Sequence, residues 1–326
     1  MEKAEEKHAR AKLEDVVPRS APFVIYLDPC GACNFKCSFC PCNTSDFLAA
    51  ERHKMMDWEL FEKILQDLKA YPLGGVSVVN LHGFGEPLLN PRTADMVKAL
   101  KENHCCREVR VTTNGFLLNE EKSRALIAAG VDLVRVSVEA MTSSGYQTLC
   151  GVDIDISEII QNVKTFYTLA QGKSKISAKI FSDALDGPEE EARFHEIFSP
   201  ITDFHYIESI EPIWGEYGQD FQAAPKKTNH SYQPGECREI CTFPFTDMCI
   251  HSNGIVSACC SDWKFAVQYG DVRTESLSDI WNGKRHRAVQ LAHLSMQLNP
   301  FCAACQRKPV DRIEAPALLM KRIMKE

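Results

Sequence analysis

Three cysteines spaced over residues 33–40 constrain this chain more than any other feature. Cys33, Cys37 and Cys40 lie in the run Cys-Asn-Phe-Lys-Cys-Ser-Phe-Cys-Pro that ends at Pro41. Iron–sulfur clusters that only transfer electrons are held by four cysteine thiolates. Three thiolates on one loop would leave one iron open to an external ligand, much as a catalytic zinc site keeps one position free of protein. The sequence therefore predicts a loop that holds a reactive iron–sulfur cluster.

Zinc is the alternative that these cysteines leave open. Closely spaced cysteines often bind structural zinc, most commonly as two separated CxxC pairs, and the spacing here is different. Buried free thiols are a weaker interpretation, because Asn34 and Lys36 between the cysteines are polar. Cys30 and Cys42 crowd the same loop, and for these two the interpretation as small buried hydrophobic residues stays open.

The spacing C-x3-C-x2-C resembles that of the radical S-adenosylmethionine (SAM) enzymes, in which an aromatic residue precedes the third cysteine, as Phe39 does here. The resemblance implies a 4Fe–4S cluster on Cys33, Cys37 and Cys40, with SAM bound to the open iron. It also implies that the reduced cluster cleaves SAM to a 5′-deoxyadenosyl radical. Phe39 is accordingly a candidate SAM contact.

A second motif follows a predicted strand. Residues 76–82 form a β-branched run that is typical of a buried strand, and they continue into Gly-Phe-Gly-Glu-Pro at 83–87. This segment is similar to the GGEP element of the family, with Gly-Phe in place of Gly-Gly. The resemblance implies that Gly83, Gly85 and Glu86 meet the amino group of SAM, since glycine permits close approach and a carboxylate accepts a hydrogen bond from an ammonium group. An ordinary strand-to-loop turn is the alternative.

Strands and helices alternate through much of the chain. Further strands are predicted over 108–115, 131–139, 175–180 and 203–207, and helices over 57–68, 119–129 and 157–169. Such alternation is typical of a parallel sheet of βαβ units. Residues 21–214 resemble the partial (β/α)6 TIM-like barrel of the radical SAM fold, an α/β architecture.

Polar residues end the later strands, where the active groups of such sheets gather. Asn114 follows one predicted strand, and Ser137 and Glu139 end the next. In the family, polar residues at this strand end contact the ribose and methionyl parts of SAM. The resemblance implies the same role for Ser137 and Glu139, and also for Asn114. A solvated strand end is the alternative for each.

The end of the chain is rich in cysteine. Seven of the fifteen cysteines are Cys237, Cys241, Cys249, Cys259, Cys260, Cys302 and Cys305. One precedes Thr-Phe-Pro-Phe, another follows a predicted hairpin whose Asn253-Gly254 dipeptide suits a type I′ turn, and the last two form a CxxC. A helix is predicted over 277–282.

This combination resembles the SPASM domain, called twitch when it is shortened. The resemblance implies that Cys241, Cys259, Cys302 and Cys305 hold one auxiliary 4Fe–4S cluster, because no cysteine follows Cys305 to complete a second. Tetrahedral zinc is the alternative, since four thiolates suit both metals. Two choices of ligand stay open. Cys260 could bind the cluster in place of Cys259, and Cys237 could replace Cys241 or act as an extra ligand.

The predicted organisation is a helical extension over 1–20, the barrel over 21–214, a linker over 215–236, the auxiliary iron–sulfur domain over 237–310 and a helix over 311–326. A net charge of −7 without a basic stripe indicates no nucleic-acid partner. The charged N-terminus is unlike a secretory segment, and no apolar run reaches the ~18 residues of a membrane span. Many cysteines in such a chain predict a reducing, cytoplasmic compartment.

The family implies the reaction class. Members with auxiliary clusters modify ribosomal peptides or oxidise, epimerise or rearrange small molecules. Only residues 1–20 precede the barrel, where peptide modifiers carry a larger leader-binding domain, so we expect a small-molecule substrate. The four-cysteine site also resembles that of the radical dehydrogenases of aminoglycoside biosynthesis.

We therefore expect an oxidoreductase that oxidises an alcohol or amine of a sugar- or cyclitol-like molecule, with the auxiliary cluster as electron acceptor. A reductant such as flavodoxin or ferredoxin would reduce the first cluster. A radical epimerase would instead need a hydrogen-donating thiol, for which Cys249, Cys237 and Cys260 are candidates. Guesses for substrate contacts are Lys179, Asp183, Glu208, Glu211, Trp214 and Asp262. A non-catalytic zinc protein is the competing class.

Overall fold

The computed structural model describes residues 11–49, 52, 54–209, 240–305, 310–311, 313 and 315–325. The predicted linker over 215–236 and residues 1–10 of the predicted extension lie outside the described residues. So do Glu211, Trp214 and Cys237.

Six parallel strands form the body of the sheet and lie in their order along the chain. They are β1 (Val24–Leu27), β2 (Val78–Leu81), β3 (Glu108–Thr113), β4 (Leu133–Val138), β5 (Lys175–Phe181) and β6 (Phe204–Glu208). Each strand pairs in parallel with the next. Parallel neighbours need crossover connections, and helices supply them here.

A short helix, α1 (Leu13–Val16), precedes the sheet. The crossovers contain α2 (Ser45–Ala49), α3 (Trp58–Lys69), α4 (Thr93–Glu102), α5 (Glu120–Ala129), α6 (Ser143–Cys150), α7 (Ile156–Ala170) and α8 (Pro188–Phe198). Buried apolar residues of helices and strands form one continuous core. The architecture is a partial TIM-like barrel, which confirms the predicted fold class.

Capping residues fix the helix ends where the sequence predicted them. Asp57 accepts a hydrogen bond from the Leu60 amide at 2.7 Å, and Asn119 accepts one from the Lys122 amide at 3.0 Å. Each acceptor satisfies an amide of the first turn that has no partner within the helix. Gly130 ends α5 in the left-handed region with a φ of +83°, where residues with a Cβ are strained.

The C-terminal part of the chain extends the same sheet, which the sequence did not predict. A short strand, β7 (Ile240–Cys241), leads into it and pairs with β11 (Val310–Asp311). Next, β8 (Asp247–Ile250) pairs in parallel with β1, and β9 (Ile255–Ser257) and β10 (Gln268–Asp271) follow as antiparallel neighbours. Nine strands of the described chain therefore form one sheet in the order β10-β9-β8-β1-β2-β3-β4-β5-β6.

The turn between β8 and β9 is not the predicted type I′ turn. That type needs positive φ at both central residues, and of the Asn253-Gly254 pair only Gly254 has it, at +92°. The Gly254 amide donates to the His251 carbonyl at 2.9 Å, and the Asn253 side chain accepts from the Ile255 amide at 3.2 Å. The backbone bond closes a turn over residues 251–254, and the Asn253 side chain adds a bond to the amide that follows it.

The described residues of the C-terminal part form five helices: α9 (Phe243–Thr246), α10 (Leu277–Trp281), α11 (Lys284–Leu294), α12 (Pro300–Ala304) and α13 (Pro316–Lys325). A second apolar cluster contains residues of α1, α9, α11 and α13, including Leu13, Phe245, Leu294 and Leu319. Within the described ranges, no helix is both long and apolar enough to cross a bilayer.

Candidate active site

The inner face of the central barrel strands is polar. Successive side chains of a strand point to opposite faces. One face of β3 to β5 is buried and aliphatic and belongs to the core, with Val109, Val111, Val134, Val136, Val138, Ile176, Ala178 and Ile180. On the other face Thr112, Arg135 and Ser177 lie side by side, as do Ser137 and Lys179. A packed TIM barrel is filled mainly by Val, Ile and Leu, so this interior suits a polar ligand.

The cluster loop, residues 33–40, follows β1 and is fixed against α6. The Lys36 amide donates to the Cys150 carbonyl at 2.7 Å. Phe35 is buried, and its ring packs edge-on against Tyr146 with the centroids 5.9 Å apart. The three predicted cluster cysteines are therefore carried by a loop whose backbone is already positioned.

The three cysteines of the loop are partly buried and interact with one another. Burial raises the pKa of Cys33 to about 12. A hydrogen bond with Cys150, followed by burial, raises the pKa of Cys37, whereas a hydrogen bond with Cys42 lowers that of Cys40. Cys33 and Cys37 each also interact electrostatically with Cys40. Cysteines bind metals as thiolates, so a cationic iron centre is a partner that fits this donor set.

The glycines of the second motif are required by the crossing of two loops. A Cβ atom at Gly85 would lie 2.0 Å from the Cys30 carbonyl oxygen and 2.4 Å from that of Ala32. Real Cβ atoms do not approach backbone so closely, and both carbonyl oxygens belong to the segment that leads into the cluster loop. From the sequence, we predicted that glycine is needed at these positions because SAM approaches closely. The structure shows that the close contact with the neighbouring protein segment also requires glycine.

Glu86 joins its own segment to the end of β3. Its Oε1 accepts hydrogen bonds from the Leu88 amide at 2.9 Å and from the Thr113 hydroxyl at 2.7 Å. Its Oε2 accepts from the Asn114 amide at 2.8 Å. Burial raises the pKa of Glu86 to about 6 despite these bonds. A carboxylate has about four acceptor positions, so Oε2 keeps one for a further donor.

Asp28 is a residue of the site that sequence reasoning missed. It is buried directly after β1 and accepts hydrogen bonds from the backbone amides of Cys30, Phe84 and Ser252. These amides belong to the segment before the cluster loop, to the second motif and to the β8–β9 turn. Burial raises the pKa of Asp28 to about 7. An acidic residue ending the first strand, two positions before Cys30, was the signal for it.

Glu139 and Lys179 form a buried pair at the carboxyl ends of β4 and β5. The Lys179 Nζ lies 4.0 Å from Glu139 Oε1 and 3.4 Å from the centroid of the Phe181 ring. Glu139 Oε2 is buried without a hydrogen-bond partner among the described residues. Burial raises the pKa of Glu139, and the charge of Lys179 opposes the shift. An acceptor left open in this way fits a ligand that brings a hydroxyl or ammonium group.

Phe39 and Asn114 lie beside this pair and beside the cluster loop. The Phe39 ring meets Phe181 edge-on, with the centroids 5.7 Å apart. The side-chain nitrogen Nδ2 of Asn114 donates to the Asn34 side-chain oxygen at 2.8 Å and lies 4.0 Å from the Cys33 sulfur. The structure thus brings the predicted SAM contacts to one end of the barrel, although their contact with SAM stays a prediction.

The auxiliary cysteines come from three separate elements. Cys241 ends β7, Cys259 follows β9, and Cys302 and Cys305 lie on and just after α12. Burial raises the pKa of Cys241 to about 12, and the charges of Cys305 and Cys302 add to the shift. Burial also raises the pKa of Cys259, with a smaller contribution from Cys241. The four predicted ligands therefore share one electrostatic neighbourhood.

Two further cysteines lie in the same neighbourhood. Cys249 is buried on β8 and interacts electrostatically with Cys260 and Cys259. The choice between Cys259 and Cys260 as ligand stays open, and Cys237 lies outside the described residues. In the part of the chain that the structure describes, no group of three or more His, Cys, Asp or Glu side chains is arranged to hold a single metal ion.

Of the guessed substrate contacts, Asp262 has another role. It is buried in the loop after Cys259 and accepts hydrogen bonds from the Ala266 and Val267 amides, each at 2.8 Å. Because its oxygens hold that loop, we withdraw it as a substrate contact. Lys179 remains on the inner face, and Glu208 ends β6 close enough to influence the pKa of Glu139. Asp183 lies in a short 3-10 turn after β5.

Comparison with known protein families identifies the two domains that carry these cysteines. The family model of the radical SAM superfamily matches residues 27–176, and the model of the SPASM iron–sulfur cluster-binding domain matches residues 241–306. The chain is a member of the radical SAM superfamily. Its radical SAM domain implies a 4Fe–4S cluster and SAM, and its SPASM domain implies auxiliary iron–sulfur clusters.

The curated relatives cover part of the chain. A tungsten-containing aldehyde ferredoxin oxidoreductase cofactor-modifying protein from Pyrococcus furiosus is 32% identical over 120 residues, which are 37% of this chain and 32% of the relative. A GTP 3′,8-cyclase from Edwardsiella ictaluri is 24% identical over 201 residues, 62% of this chain and 59% of the relative. This chain therefore covers less than two thirds of the length of either relative.

Solved structures resemble the fold over most of its length. BtrN in complex with AdoMet and 2-DOIA has a TM-score of 0.60 at 17% identity and covers 90% of this chain and 97% of its own. Native anSMEcpe with bound AdoMet has a TM-score of 0.61 at 14% identity, with coverages of 93% and 96%. Streptococcus suis SuiB bound to S-adenosylmethionine has a TM-score of 0.59 at 20% identity, with coverages of 88% and 69%. At these identities the likeness shows the fold alone.

Proposed function

We propose that this radical SAM enzyme removes a hydrogen atom from a sugar- or cyclitol-like small molecule and oxidises an alcohol or amine of that molecule. The cluster and SAM would supply the 5′-deoxyadenosyl radical. The observation that carries this proposal is the polar inner face of the barrel, where the buried Ser177 hydroxyl and the neighbouring Arg135 Nε have no hydrogen-bond partner among the described residues. Such an interior accommodates a ligand that is rich in hydrogen-bonding groups.

The first site would be held by Cys33, Cys37 and Cys40. Its SAM contacts would come from the residues around the cluster loop and the strand ends, namely Phe39, Gly83, Gly85, Glu86, Asn114, Ser137 and Glu139. Glu139 Oε2 is suited to a ribose hydroxyl, because a buried acceptor without a donor is costly to leave unpaired. Glu86 Oε2 retains one acceptor position for the amino group of SAM.

The substrate would lie deeper along the inner face. Ser177 is fully buried, and its hydroxyl has no hydrogen-bond partner in the described chain. Arg135, beside it on β4, has a buried Nε that is equally unpaired. A substrate that carries several hydroxyl groups can accept from Arg135 and pair with Ser177. Lys179 lies one layer closer to the strand ends, where it can orient a substrate oxygen.

The auxiliary site would complete the oxidation. Conversion of an alcohol carbon to a carbonyl removes one hydrogen atom, one proton and one further electron. The hydrogen atom would end in 5′-deoxyadenosine, and the proton would pass to a base or to water. The four thiols of Cys241, Cys259, Cys302 and Cys305 would hold the one auxiliary 4Fe–4S cluster that accepts the electron. β8 pairs directly with β1, and so connects the auxiliary segment to the strand before the cluster loop.

Peptide modification is the second candidate function. Two proteins that share the fold have peptides in their solved structures: SuiB is bound to the precursor peptide SuiA, and anSMEcpe is bound to a Cp18Cys peptide. A peptide would enter along the same mouth of the barrel. The polar character of the inner face favours the small molecule, and the two candidates require different substrates.

Transfer of deuterium into 5′-deoxyadenosine distinguishes the two. The reconstituted enzyme is incubated with SAM, a reductant and deuterated aminocyclitols or sugars, in parallel with deuterated peptides. With a member of the first panel only, we expect deuterated 5′-deoxyadenosine and a product that has lost one deuterium and one hydrogen atom. Lys179→Met is expected to lower this transfer, whereas Lys98→Met on the surface of α4 is the matched control. Transfer from peptides alone would contradict the small-molecule assignment.

A further inference from the structure

Tyr269 carries a hydroxyl group that the described chain does not satisfy. The residue is fully buried on β10, and its oxygen has no hydrogen-bond partner among the described residues. Buried polar side-chain groups almost always have a partner, and each exception calls for an explanation such as an ion or a cofactor. Tyr269 therefore indicates that a group outside the described residues accepts a hydrogen bond from its hydroxyl.

A β-bulge determines where this side chain points. Gln268 pairs with Ser257, and Gly270 pairs with Val256, so one step on β9 corresponds to two steps on β10. Tyr269 is the additional residue between the two pairs. Bulges redirect a side chain and are frequent beside functional sites. The bulge lies next to the end of β9 at Ser257, two residues before Cys259.

The surroundings of Tyr269 are the cysteines of the auxiliary site. Burial raises the pKa of Tyr269 well above its ordinary value, and charges on four cysteines raise it further; these are Cys259, Cys302, Cys241 and Cys249. Three of these four are ligands proposed above for the auxiliary cluster. Tyr269 also belongs to the buried apolar cluster against which the partly buried Cys302 packs. The tyrosine therefore shares the neighbourhood of the cysteines from β7, β9 and α12.

His286 packs against the Tyr269 ring but makes its own contacts with other groups. The His286 ring lies 4.5 Å from the Tyr269 ring, measured between centroids. Its Nε2 is 2.7 Å from the Pro244 carbonyl oxygen, and its Nδ1 contacts the carbonyl oxygen of Trp281. Both ring nitrogens thus face backbone acceptors. His286 therefore packs against the tyrosine ring and does not accept a hydrogen bond from its hydroxyl group.

We propose that the Tyr269 hydroxyl donates a hydrogen bond to a sulfur atom of the auxiliary iron–sulfur cluster and raises the reduction potential of that cluster. The inference rests on the ligand set given under the proposed function. A hydrogen bond to sulfur stabilises the additional negative charge of the reduced cluster, and such bonds are a principal means by which proteins adjust these potentials. A higher potential favours transfer of the electron from the substrate radical to the cluster. Tyr269 is in this sense a positioning residue of the second site.

The test compares Tyr269→Phe with Tyr71→Phe in the full chain. Both substitutions remove a buried hydroxyl group that has no described partner, but Tyr71 lies near Asp67 and not near the cysteines. The background carries alanine in place of the three cysteines of the cluster loop, so that only the auxiliary cluster contributes to the electron paramagnetic resonance spectrum. Each protein is reconstituted anaerobically and titrated with reductant.

We expect Tyr269→Phe to shift the midpoint potential to a more negative value and Tyr71→Phe to leave it unchanged. The expected change is about tenfold in the ratio of oxidised to reduced cluster at a fixed potential, or about 59 mV for a one-electron couple. Electron–nuclear double resonance after exchange into D2O should show a deuterium coupling to the reduced cluster that Tyr269→Phe removes. Equal potentials and equal couplings in the two variants would overturn the proposal.

A second substitution tests the proposal if the Tyr269→Phe variant does not assemble the auxiliary cluster. 3-Fluorotyrosine at position 269 keeps the ring and the hydroxyl but makes the proton more acidic, so the potential should shift to a more positive value. An unchanged potential would overturn the proposal.

Iron analysis separates this inference from the function on which it rests. About four irons per chain are expected in the background variant. A chain without any cluster would contradict both, whereas a cluster with unchanged properties would contradict only the role of Tyr269.

Discussion

A Cβ atom at Gly83 would lie 2.5 Å from the Cγ of Asp28. This close approach places the second motif directly over the carboxylate that binds the amides of Cys30, Phe84 and Ser252. Three segments that are distant in sequence are therefore joined through one buried side chain. The glycine is required because any larger residue would displace Asp28 from its donors.

Gly83→Ala should consequently disturb both loops of the first site. We expect a loss of about 1–3 kcal/mol of stability from overpacking and at least a tenfold weaker affinity for SAM, measured by calorimetry on the reconstituted enzyme. Gly172→Ala is the control, because a Cβ there would meet nothing within 4 Å although its φ is +76°. It should cost stability without changing SAM affinity. Unaltered SAM binding by Gly83→Ala would disprove the link between the two segments.

Glu86→Gln should loosen the second motif from β3. The amide nitrogen of glutamine would face either the Asn114 amide or the donors on Oε1, so two donors would oppose each other. An unsatisfied buried group of this kind costs about 1–3 kcal/mol. Thr113→Val removes one of the three bonds to Glu86 and the bond that the Gly115 amide donates to the Thr113 hydroxyl at 3.1 Å. It places no two donors against each other and should cost less. Urea denaturation of the two variants at pH 8, above the pKa of about 6 for Glu86, gives the comparison. Equal losses would show that the carboxylate does not organise the segment.

His251 should make the stability of the C-terminal part fall in acid. Burial lowers the pKa of His251 to about 3, and the charge of Arg52 contributes. The folded protein therefore keeps the ring neutral, while the unfolded chain binds a proton below its ordinary pKa. This contribution is complete above about pH 6.5 and is lost progressively as the pH falls towards 3. Between pH 7.5 and pH 5.5 the loss should be about 1.4 kcal/mol.

His251→Gln isolates this contribution. Glutamine retains a group that can bond to Ser257, which lies 2.7 Å from His251 Nε2, but it does not titrate. The difference in apparent unfolding free energy between wild type and His251→Gln should shrink by about that amount from pH 7.5 to pH 5.5, whatever Asp28 and Glu86 contribute to both proteins. A difference that does not change with pH would contradict the neutral buried ring.

Cys302→Ala should separate the two cysteine sites. The first site does not include this residue, so reductive cleavage of SAM to 5′-deoxyadenosine should largely continue. Formation of the oxidised product should be lost, because the electron acceptor would lack a ligand. Cys105→Ala is the control, since Cys105 is a buried thiol in the main core between α4 and β3. Product analysis by mass spectrometry checks both. Equal loss of SAM cleavage and of product would make the second site structural.

The sequence predicted what local chemistry determines. Asp57 and Asn119 cap helices through their own side chains, and Gly130 ends α5 in the left-handed region. The cysteine spacing at residues 33–40 and the Gly-Phe-Gly-Glu-Pro run lie within single loops, so they are visible in one pass along the chain. Each of these features depends on residues a few positions apart.

Long-range features could not be predicted in this way. The pairing of β8 with β1 brings together segments with no shared local signal. The role of Asp28 depends on the amides of two distant loops, and Tyr269 is aimed by a bulge that only the register of β9 and β10 reveals. The turn at Asn253 was predicted wrongly because only Gly254 of the pair has a positive φ, and the turn is closed one residue earlier by the bond from the Gly254 amide to the His251 carbonyl.

Anaerobic reconstitution of the full chain, followed by metal analysis and incubation with SAM and a reductant, is the most direct test of the central claim. Two 4Fe–4S clusters require about eight irons and eight sulfides per chain, and we expect SAM to be cleaved to 5′-deoxyadenosine. Replacement of Cys33, Cys37 and Cys40 by alanine should abolish the cleavage and leave about four irons. Stoichiometric zinc without any cleavage of SAM would contradict the account.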